Sequence, residues 1–302
     1  MSSSPNYGEI AVATSIPPEL ARQDAGHSLD DEYQRLCIQS WIDCGFRVLS
    51  VNDRDEIPDV AARYPAVNFV AADRNASAWS GRKTPYIADL LLALKDVPEP
   101  VLGIINSDLV FEPSSAWRMG LPALVGEALV VGQRYDTTSL LHGTFRRLYA
   151  GLDGFFFDKS FANKALEHAM PFAMGLPAWD YWMPCAAAFN NYRILVADRP
   201  GFVHLDHKLA WSYATRSEFA RIFANFVIGQ FEGASHALPE CISSIVPLCC
   251  GIAALPVGKT PDVLVTHLVK LFSSRIRENI IHLEPTPLPS FDLLAGLAWK
   301  QA

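Results

Sequence analysis

Short apolar runs alternate with segments of helical periodicity over the first 110 residues, and this alternation limits the fold more than any other feature of the chain. Alternation of this kind is typical of βα units, which build a mostly parallel sheet flanked by helices. Each apolar run ends in polar or acidic residues. The four runs cover residues 10–14, 46–51, 67–72 and 101–105. Because open α/β sheets bind ligands beyond the carboxyl ends of their strands, the sequence predicts a functional site at that edge.

The pattern changes after residue 110. Further apolar runs, separated by longer irregular spacers, lie at residues 128–131, 154–157 and 194–197. These runs are expected to complete the same sheet, which gives an α/β fold with a mixed, mainly parallel, Rossmann-like sheet flanked by helices. From about residue 215 the spacing of apolar residues is helical, and a last helix is predicted over residues 262–282. We therefore expect a sheet domain over residues 1–214 and a helical C-terminal region over residues 215–302 packed on it.

Two helix starts follow from local signals. Ser28 with Asp31 three residues later resembles a capping box, and Gly45 is placed to end the helix that follows. Pro85 is expected to occupy the first turn of the helix that follows the third strand.

Charge and missing motifs exclude several function classes. The chain has 25 Lys and Arg against 32 Asp and Glu, a net charge of −7, and its basic residues are scattered, so no nucleic-acid partner is expected. The first βα junction has no G-x-G-x-x-G, and the chain contains neither a P-loop nor a G-x-S-x-G elbow. A dinucleotide oxidoreductase, a P-loop NTPase and an α/β-hydrolase are therefore disfavoured.

The six cysteines form no C-x-x-C pair, and the N-terminus has no basic, apolar leader. Reduced thiols and a cytoplasmic location are therefore predicted. Residues 242–257 are uncharged, but they include Pro247 and Pro256 and fall short of the roughly 20 residues that a spanning helix needs. Two interpretations stay open for this segment, a core element or a peripheral contact with a membrane.

Two acidic or histidine-rich segments are candidate metal ligands. An apolar strand runs directly into Asn106, Ser107 and Asp108, where a carboxylate is costly to desolvate unless a cation lies nearby. Asp108 is interpreted either as an exposed strand-end acid or as a ligand for Mg²⁺ or Mn²⁺. In the segment His204 to His207, an extended chain would place His204 and Asp206 on one face, whereas a turn would bring His204 and His207 together.

Two further segments are candidates for acid–base and charge chemistry. Asp180 stands among Trp179, Tyr181 and Trp182, a setting that raises the pKa of a carboxyl group and suits a general base. The alternative is that Asp180 caps a helix. Arg82 and Lys83 follow the third strand, where they could neutralise a diphosphate or simply be solvated.

Over residues 9–213 an ordered series of motifs resembles the GT-A-type nucleotide-diphospho-sugar transferases, in particular a group of bacterial and plant glycosyltransferase-like proteins. The motifs are Thr-Ser-Ile-Pro after the first strand, Thr-Pro before a helix, Asn-Ser-Asp, Gly-Gln-Arg-Tyr-Asp, Asp-Gly-Phe-Phe-Phe, Pro-Phe-Ala-Met-Gly-Leu-Pro-Ala-Trp-Asp-Tyr-Trp and His-Leu-Asp-His. The resemblance implies a GT-A-like fold. It also implies that Asp108, with His204 or His207, holds Mn²⁺ or Mg²⁺ against the donor diphosphate, and that Asp180 is the base of an inverting enzyme.

The resemblance further implies contacts to both substrates. Those expected for the donor are Thr14, Ser15, Asn52, Asp53, Arg82, Lys83, Asn106 and Ser107. Those expected for the acceptor are Asp153, Trp179 and Trp182. Two departures from the family pattern stand out, because Asn106 replaces the first Asp of the D-x-D metal motif and no Glu precedes Asp180.

The sequence thus predicts a metal-dependent glycosyltransferase that moves a sugar from a nucleotide-diphosphate donor to a hydroxyl acceptor, with inversion. One alternative is a non-catalytic nucleotide- or carbohydrate-binding protein with a degenerate transferase fold. The other is a metal-dependent phosphoesterase that uses Asp108, His204, Asp206 and His207. A nucleoside diphosphate as product indicates sugar transfer, whereas inorganic phosphate indicates hydrolysis.

Overall fold

A computed structural model describes residues 9–24, 27–111, 115–140, 146–149, 151–197, 201–207 and 211–281. Its strands are β1 (Ile10–Thr14), β2 (Gln23–Asp24), β3 (His27–Ser28), β4 (Arg47–Asp53), β5 (Asn68–Ala72), β6 (Val101–Ile104), β7 (Leu109–Phe111), β8 (Ala128–Val131), β9 (Arg134–Thr137), β10 (Arg146–Leu148), β11 (Phe155–Phe157), β12 (Arg193–Ala197), β13 (Phe202–Leu205) and β14 (Ile280–Ile281). Its α-helices are α1 (Asp30–Asp43), α2 (Ile57–Arg63), α3 (Ser77–Ser80), α4 (Ile87–Lys95), α5 (Ser115–Leu124), α6 (Lys159–Glu167), α7 (Trp179–Phe189), α8 (Tyr213–Gly233), α9 (Glu240–Ser243), α10 (Val246–Ala253) and α11 (Asp262–Ile276).

The main sheet has the strand order β14-β12-β8-β11-β6-β1-β4-β5. Neighbouring strands are parallel, except that β11 runs antiparallel to both β6 and β8. The predicted α/β fold with a mixed, mainly parallel sheet is therefore confirmed. Strands β8, β11 and β12 complete the sheet begun by the first 110 residues, as the sequence predicts.

Two clusters of buried side chains cover the two faces of this sheet. Ala11 and Ala13 of β1 belong to one cluster, and Ile10 and Val12 belong to the other, as the alternation of side chains along a strand requires. The first cluster also contains residues of α4, α7, α8 and α11, so the C-terminal helices pack on the sheet itself. The second cluster contains residues of α1 and of the strands β7 and β13.

A smaller sheet, with the order β10-β9-β13-β7, lies beyond the carboxyl end of β6. Strand β13 is parallel to β9 and antiparallel to β7. Because only four residues separate β6 from β7, the chain passes from the main sheet into the smaller one at Asn106 to Asp108. The predicted strand-end acid therefore lies where the two sheets meet.

Both predicted helix starts are wrong. Helix α1 begins at Asp30, because Ser28 is part of β3, and Leu29 is the capping residue without a side-chain hydrogen bond. Helix α4 begins at Ile87, and Pro85 lies ahead of it in the chain. Tyr86 is the capping residue, and its backbone N–H donates to the Asp89 carboxylate at 3.1 Å.

The last helix is shorter than predicted. It begins at Asp262 as expected but ends at Ile276, and a 3₁₀ turn over Arg277–Asn279 leads into β14. Ile280 and Ile281 pair with β12 at the edge of the main sheet. These two apolar residues continue the helical spacing in sequence but complete the sheet in the structure, and residue 282 lies outside the described residues.

Residues 242–257 form part of α9 and all of α10, and α10 packs against α8. Ile242, Ile245, Cys249 and Ile252 are buried in the first cluster, which agrees with the interpretation as a core segment. Within the described residues, none of the helices combines the length and the hydrophobicity that crossing a bilayer requires. All six cysteines are free thiols, and Cys250 is exposed whereas the other five are buried.

Candidate functional site

A cavity of about 410 Å³ opens beyond the carboxyl end of β6, between the smaller sheet and the helices α7, α8 and α11. It thus lies at the edge of the sheet that the sequence predicts. Its charged walls carry five carboxylates and three guanidinium groups. The carboxylates belong to Asp108, Asp136, Asp153, Asp180 and Asp206, and the guanidinium groups belong to Arg134, Arg147 and Arg216.

Asp108, His204 and His207 meet at one end of the cavity. The antiparallel pairing of β7 with β13 sets His204 opposite Leu109, the residue after Asp108. The Asp108 Oδ2 atom lies 3.2 Å from Nε2 of His207 and 3.4 Å from Nε2 of His204. The structure therefore brings together the three residues proposed from the sequence as metal ligands, and one ligand atom from each lies within 4.8 Å of the others.

The second ring nitrogen of His204 faces another carboxylate. Its Nδ1 atom lies 3.2 Å from Oδ1 of Asp136, so the tautomer that carries its hydrogen on Nδ1 leaves Nε2 free to act as a ligand. A carboxylate behind a histidine in this way is the usual support of a metal ligand. Asp136, His204 and Asp206 also form a second group with metal-ligand spacing. His204 thus approaches both Asp206 and His207, the two alternatives left open by the sequence.

Asp108 is held as an ionised carboxylate. Burial raises its pKa, but His204, His207 and Arg22 outweigh burial, so that the pKa of Asp108 lies well below its usual range. Arg22 donates to Oδ2 of Asp108 at 2.7 Å. The Tyr33 hydroxyl donates to the backbone oxygen of Asp108 at 2.7 Å, which fixes the main chain at the strand end.

The chemistry of this donor set fits a divalent first-row metal. One carboxylate oxygen and two imidazole nitrogens are available, and Asp136 supports one of the imidazoles. Imidazole ligands suit first-row transition metals, whereas Mg²⁺ prefers oxygen ligands alone, so the donor set suits a transition metal better than Mg²⁺.

A second charged group lies on the neighbouring wall. Arg134 donates to Asp136 at 2.9 Å and to Asp153 at 3.1 Å, and its guanidinium carbon lies 3.8 Å from the ring centre of Tyr149. Asn106 donates to the same oxygen of Asp153 at 2.8 Å. The other oxygen of Asp153 is buried and has no hydrogen-bond partner within the described part of the chain. One acceptor position is therefore left for a ligand or a solvent molecule.

The loop that carries Tyr149 is tied to the C-terminal region. Arg277, in the 3₁₀ turn after α11, donates to the backbone oxygens of Tyr149 and Gly151 at 2.8 and 3.0 Å. It also donates to the side chain of Gln133 at 3.1 Å. The C-terminal region thus positions one wall of the cavity.

Asp180 lies in the first turn of α7. The capping residue of this helix is Ala178, whose φ of 73° is in the left-handed region, so Asp180 is not the helix cap. Burial and then the negative charge of Asp153 raise the pKa of Asp180 to about 8, although the backbone N–H groups of Asp180 and Tyr181 lower it. A carboxyl group with this pKa exchanges a proton near neutral pH, as a general base requires.

The structure divides the predicted site residues into two sets. Seven of them line the cavity, namely Asn106, Asp108, Asp153, Trp179, Asp180, His204 and His207. Eight do not line it, namely Thr14, Ser15, Asn52, Asp53, Arg82, Lys83, Ser107 and Trp182. Trp182 is buried between Phe172 and Phe226, and it contributes to the core.

The residues at the ends of β1 and β4 make local contacts instead. Asn52 is fully buried, and it donates to the backbone oxygen of Ile16 at 2.8 Å. Lys83 forms ion pairs with Asp53 at 3.0 Å and with Asp55 at 2.9 Å. Thr14 is fully buried, and its hydroxyl has no hydrogen-bond partner among the residues that the structure describes.

Sequence reasoning assigned no role to several residues of the cavity. Arg134 and Asp136 belong to the motif Gly-Gln-Arg-Tyr-Asp, where charged residues alternating along a strand could have indicated a polar face toward a site. Tyr149 and Trp211 lie in irregular segments without a motif of their own. The cavity-facing residues of α8 and α11 have the apolar spacing of ordinary core helices, so nothing in their sequence marks them.

No protein-family model matches the sequence, and no curated protein matches it. Among solved structures, the chain is similar to the mannosyltransferase PcManGT from Pyrobaculum calidifontis in complex with GDP-Man and Mn²⁺, with a TM-score of 0.44, 12% identity and coverage of 98% of this chain and 82% of that chain. It is also similar to a nucleotide-diphospho-sugar transferase, described as putative, from Desulfovibrio desulfuricans G20, with a TM-score of 0.40, 13% identity and coverage of 90% and 99%.

A third similar structure is the inositol-1-phosphate CTP transferase from T. maritima, with a TM-score of 0.39, 13% identity and coverage of 68% of this chain and 93% of that chain. These structural neighbours are nucleotide-sugar transferases and nucleotidyltransferases, the broad class that the sequence resembles. Structural similarity at these TM-scores gives no information about activity.

Proposed function

We propose that the protein transfers a sugar from a nucleotide-diphosphate donor to a hydroxyl acceptor, with a divalent metal at Asp108, His204 and His207 and with Asp180 as general base. One observation carries the proposal: a metal-ligand cluster and a carboxyl group with a pKa of about 8 line the same cavity. Sugar transfer needs both parts, because the bond between the donor sugar and the nucleoside diphosphate must break and the acceptor hydroxyl must lose a proton.

Mn²⁺ or Mg²⁺, when bound, supplies the positive charge that stabilises a departing diphosphate. The chain contributes the geometry of that site, since Asp136 orients His204 and Tyr33 fixes the backbone of Asp108. Arg147 is a further candidate for contact with the diphosphate. Its side chain is 64% exposed at the cavity, and its ion pair with Asp136 is long, at 3.4 Å.

The nucleotide is proposed to lie beyond β1 and β4, which follow β6 in the sheet and end at the same edge. In this arrangement Ser15, Asp53 and Lys83 border the nucleotide, whereas the buried Thr14 and Asn52 support the strand ends. Arg82, in the same loop as Lys83, is exposed and free to approach from the loop side.

In the proposed step, the acceptor oxygen forms a bond to the anomeric carbon of the donor sugar. The bond from that carbon to the diphosphate oxygen breaks, and its electron pair leaves with the nucleoside diphosphate. The proton of the acceptor hydroxyl passes to the carboxylate of Asp180. Attack from the side opposite the leaving group inverts the configuration at the anomeric carbon.

Melting temperatures measured with UDP, GDP, CMP and dTDP, each with and without Mn²⁺, test whether the protein binds a nucleotide through the metal at Asp108. We expect one nucleotide to raise the melting temperature by about 5 °C at a hundredfold excess over its Kd, because a ligand that binds only the folded state stabilises it. The rise should require Mn²⁺ and disappear in Asp108→Ala.

Asp96→Ala is the matched control, because Asp96 is exposed at the end of α4, five residues before β6 begins, and does not line the cavity. It should keep the full response. A nucleotide response of equal size in Asp108→Ala, or no response to any of the four nucleotides with Mn²⁺, would count against the proposal.

A further inference from the structure

One wall of the cavity is formed by six apolar side chains. Helices α8 and α11 build this wall from Ala220, Phe223, Val265, Leu268, Val269 and Phe272. The metal-ligand cluster and the five carboxylates lie in α7, in the smaller sheet, or in segments next to strands of the two sheets, so none of them comes from α8 or α11. The site is therefore amphipathic by construction.

The apolar wall does not suit the donor. Sugar hydroxyls and phosphates need hydrogen-bond partners, and placing them against aliphatic and aromatic side chains costs free energy of desolvation. Water also binds poorly to such a surface, because it finds too few polar partners. The ligand that gains most from this wall is an alkyl or aryl group, whose burial is favourable in proportion to its area.

The wall begins next to the proposed base. Tyr181 follows Asp180 in α7, and its ring centre lies 6.0 Å from that of Phe272 in α11. Arg216 of α8 also lines the cavity, but it forms an ion pair with Asp262 and donates to Thr266 at 3.2 Å. Its guanidinium group is thus bound to α11, and in sequence Arg216 lies one helical turn before Ala220, the first residue of the apolar wall.

We propose that the acceptor is an amphiphilic alcohol, whose hydroxyl faces Asp180 and whose alkyl or aryl portion packs against the wall formed by α8 and α11. The role of this alcohol as acceptor rests on the proposed function, whereas the binding of its apolar tail does not. A cavity of about 410 Å³ falls within the range of roughly 300–1,000 Å³ that is usual for small-molecule sites.

The test compares two ligands that share a sugar and differ in the tail, n-octyl β-D-glucoside below its critical micelle concentration and methyl β-D-glucoside. Calorimetric titration of the full chain should give a Kd for the octyl compound at least tenfold lower than for the methyl compound. Val269→Asp should reduce this preference to less than threefold, because the new carboxylate lies on the wall and must be desolvated by the tail.

Val263→Asp is the matched control, since Val263 lies on the same helix, is 71% exposed and does not line the cavity. It should keep the full preference for the octyl compound. If Val269→Asp fails to fold by circular dichroism, Val269→Thr, which is nearly isosteric, should lower the preference in the same direction.

Equal affinity for the two glucosides in the unaltered protein would overturn the proposal, as would a full tenfold preference in a folded Val269→Asp variant. The outcome is separable from that of the proposed function. A tail preference that depends on Val269, in a protein without a Mn²⁺-dependent nucleotide response, would support the apolar site while contradicting sugar transfer. The reverse result would overturn the apolar acceptor alone.

Discussion

Asp108→Ala is expected to weaken Mn²⁺ binding by at least about 100-fold and to lower turnover by at least about 1,000-fold. The substitution removes the carboxylate to which both imidazoles and Arg22 point. The variant keeps two histidines beside the guanidinium group of Arg22, which has then lost the carboxylate of Asp108. Its positive charge repels a metal ion. Every tenfold loss corresponds to about 1.4 kcal/mol, so the expected loss of binding is about 3 kcal/mol or more.

Titration of free Mn²⁺ by electron paramagnetic resonance measures this affinity without any substrate. Asp96→Ala should bind Mn²⁺ as the unaltered protein does, since Asp96 is exposed and does not line the cavity. Circular dichroism establishes that both variants are folded. A folded Asp108→Ala protein whose Mn²⁺ affinity is within threefold of the original would remove Asp108 from the metal site.

Asp180→Asn is expected to change activity and stability in opposite directions. Loss of a general base costs about 100- to 10,000-fold in kcat, whereas binding of Mn²⁺ and nucleotide should be unchanged. The same substitution removes a carboxyl group that is costly to ionise, because burial and the charge of Asp153 raise its pKa to about 8. To act as the proposed base, Asp180 has to be deprotonated against the preference of the folded protein.

The sign of the stability effect follows from linkage. The unfolded chain ionises this group at a pKa of about 3.9, and the folded protein does so at about 8. Below about pH 4 the carboxyl group is protonated in both the folded and the unfolded state, so its ionisation does not lower the free energy of unfolding. As pH rises from about 4 to 8, the unfolded chain loses the proton first, so the free energy of unfolding falls. At pH 8.5 the Asn variant should be more stable by on the order of 5 kcal/mol, since the two pKa values differ by about 4 units and each unit corresponds to about 1.4 kcal/mol.

Urea unfolding of the two proteins at pH 5 and at pH 8.5 measures this difference. The gain in stability from Asp180→Asn should be larger at pH 8.5 than at pH 5, and kcat/KM of the unaltered protein should rise with pH toward 8. Asp153, Arg134, Tyr149 and Tyr181 are the charged or titratable groups whose fields act on Asp180. The same gain at both pH values would show that the pKa of Asp180 is close to that of an exposed carboxyl group.

The strands were the most predictable part of the fold. The run Ile10 to Thr14 is the same five residues in sequence and structure, because a short apolar run bounded by polar residues has few alternatives to a buried strand. The errors arose where a helical signal in the sequence competed with strand pairing. Ser28 has the sequence of a helix cap, but in β3 it pairs with Gln23 of β2. Ile280 continues a helical spacing, but in β14 it pairs with Val196 of β12.

The candidate site was predictable where chemistry coincides with a strand end. Asp108 follows an apolar strand directly, and His204 follows a proline–glycine turn, so both were marked by their surroundings in sequence. Only the family resemblance joined His207 to Asp108 in one metal site, because 99 residues separate them and it is the pairing of β7 with β13 that brings them together. The roles of Arg277 and of the apolar wall of α8 and α11 were not predicted either, because only tertiary packing places these residues at the cavity.

The identity of the product distinguishes sugar transfer from hydrolysis. Sugar donors that carry the nucleotide selected by the melting-temperature panel are incubated with the protein, Mn²⁺ and n-octyl β-D-glucoside or water as acceptor, and products are followed by ³¹P and ¹H NMR. We expect a free nucleoside diphosphate and a sugar of inverted anomeric configuration, both dependent on Mn²⁺ and lost in Asp180→Asn. Formation of inorganic phosphate in place of nucleoside diphosphate, or undiminished product in Asp180→Asn, would contradict the proposed function.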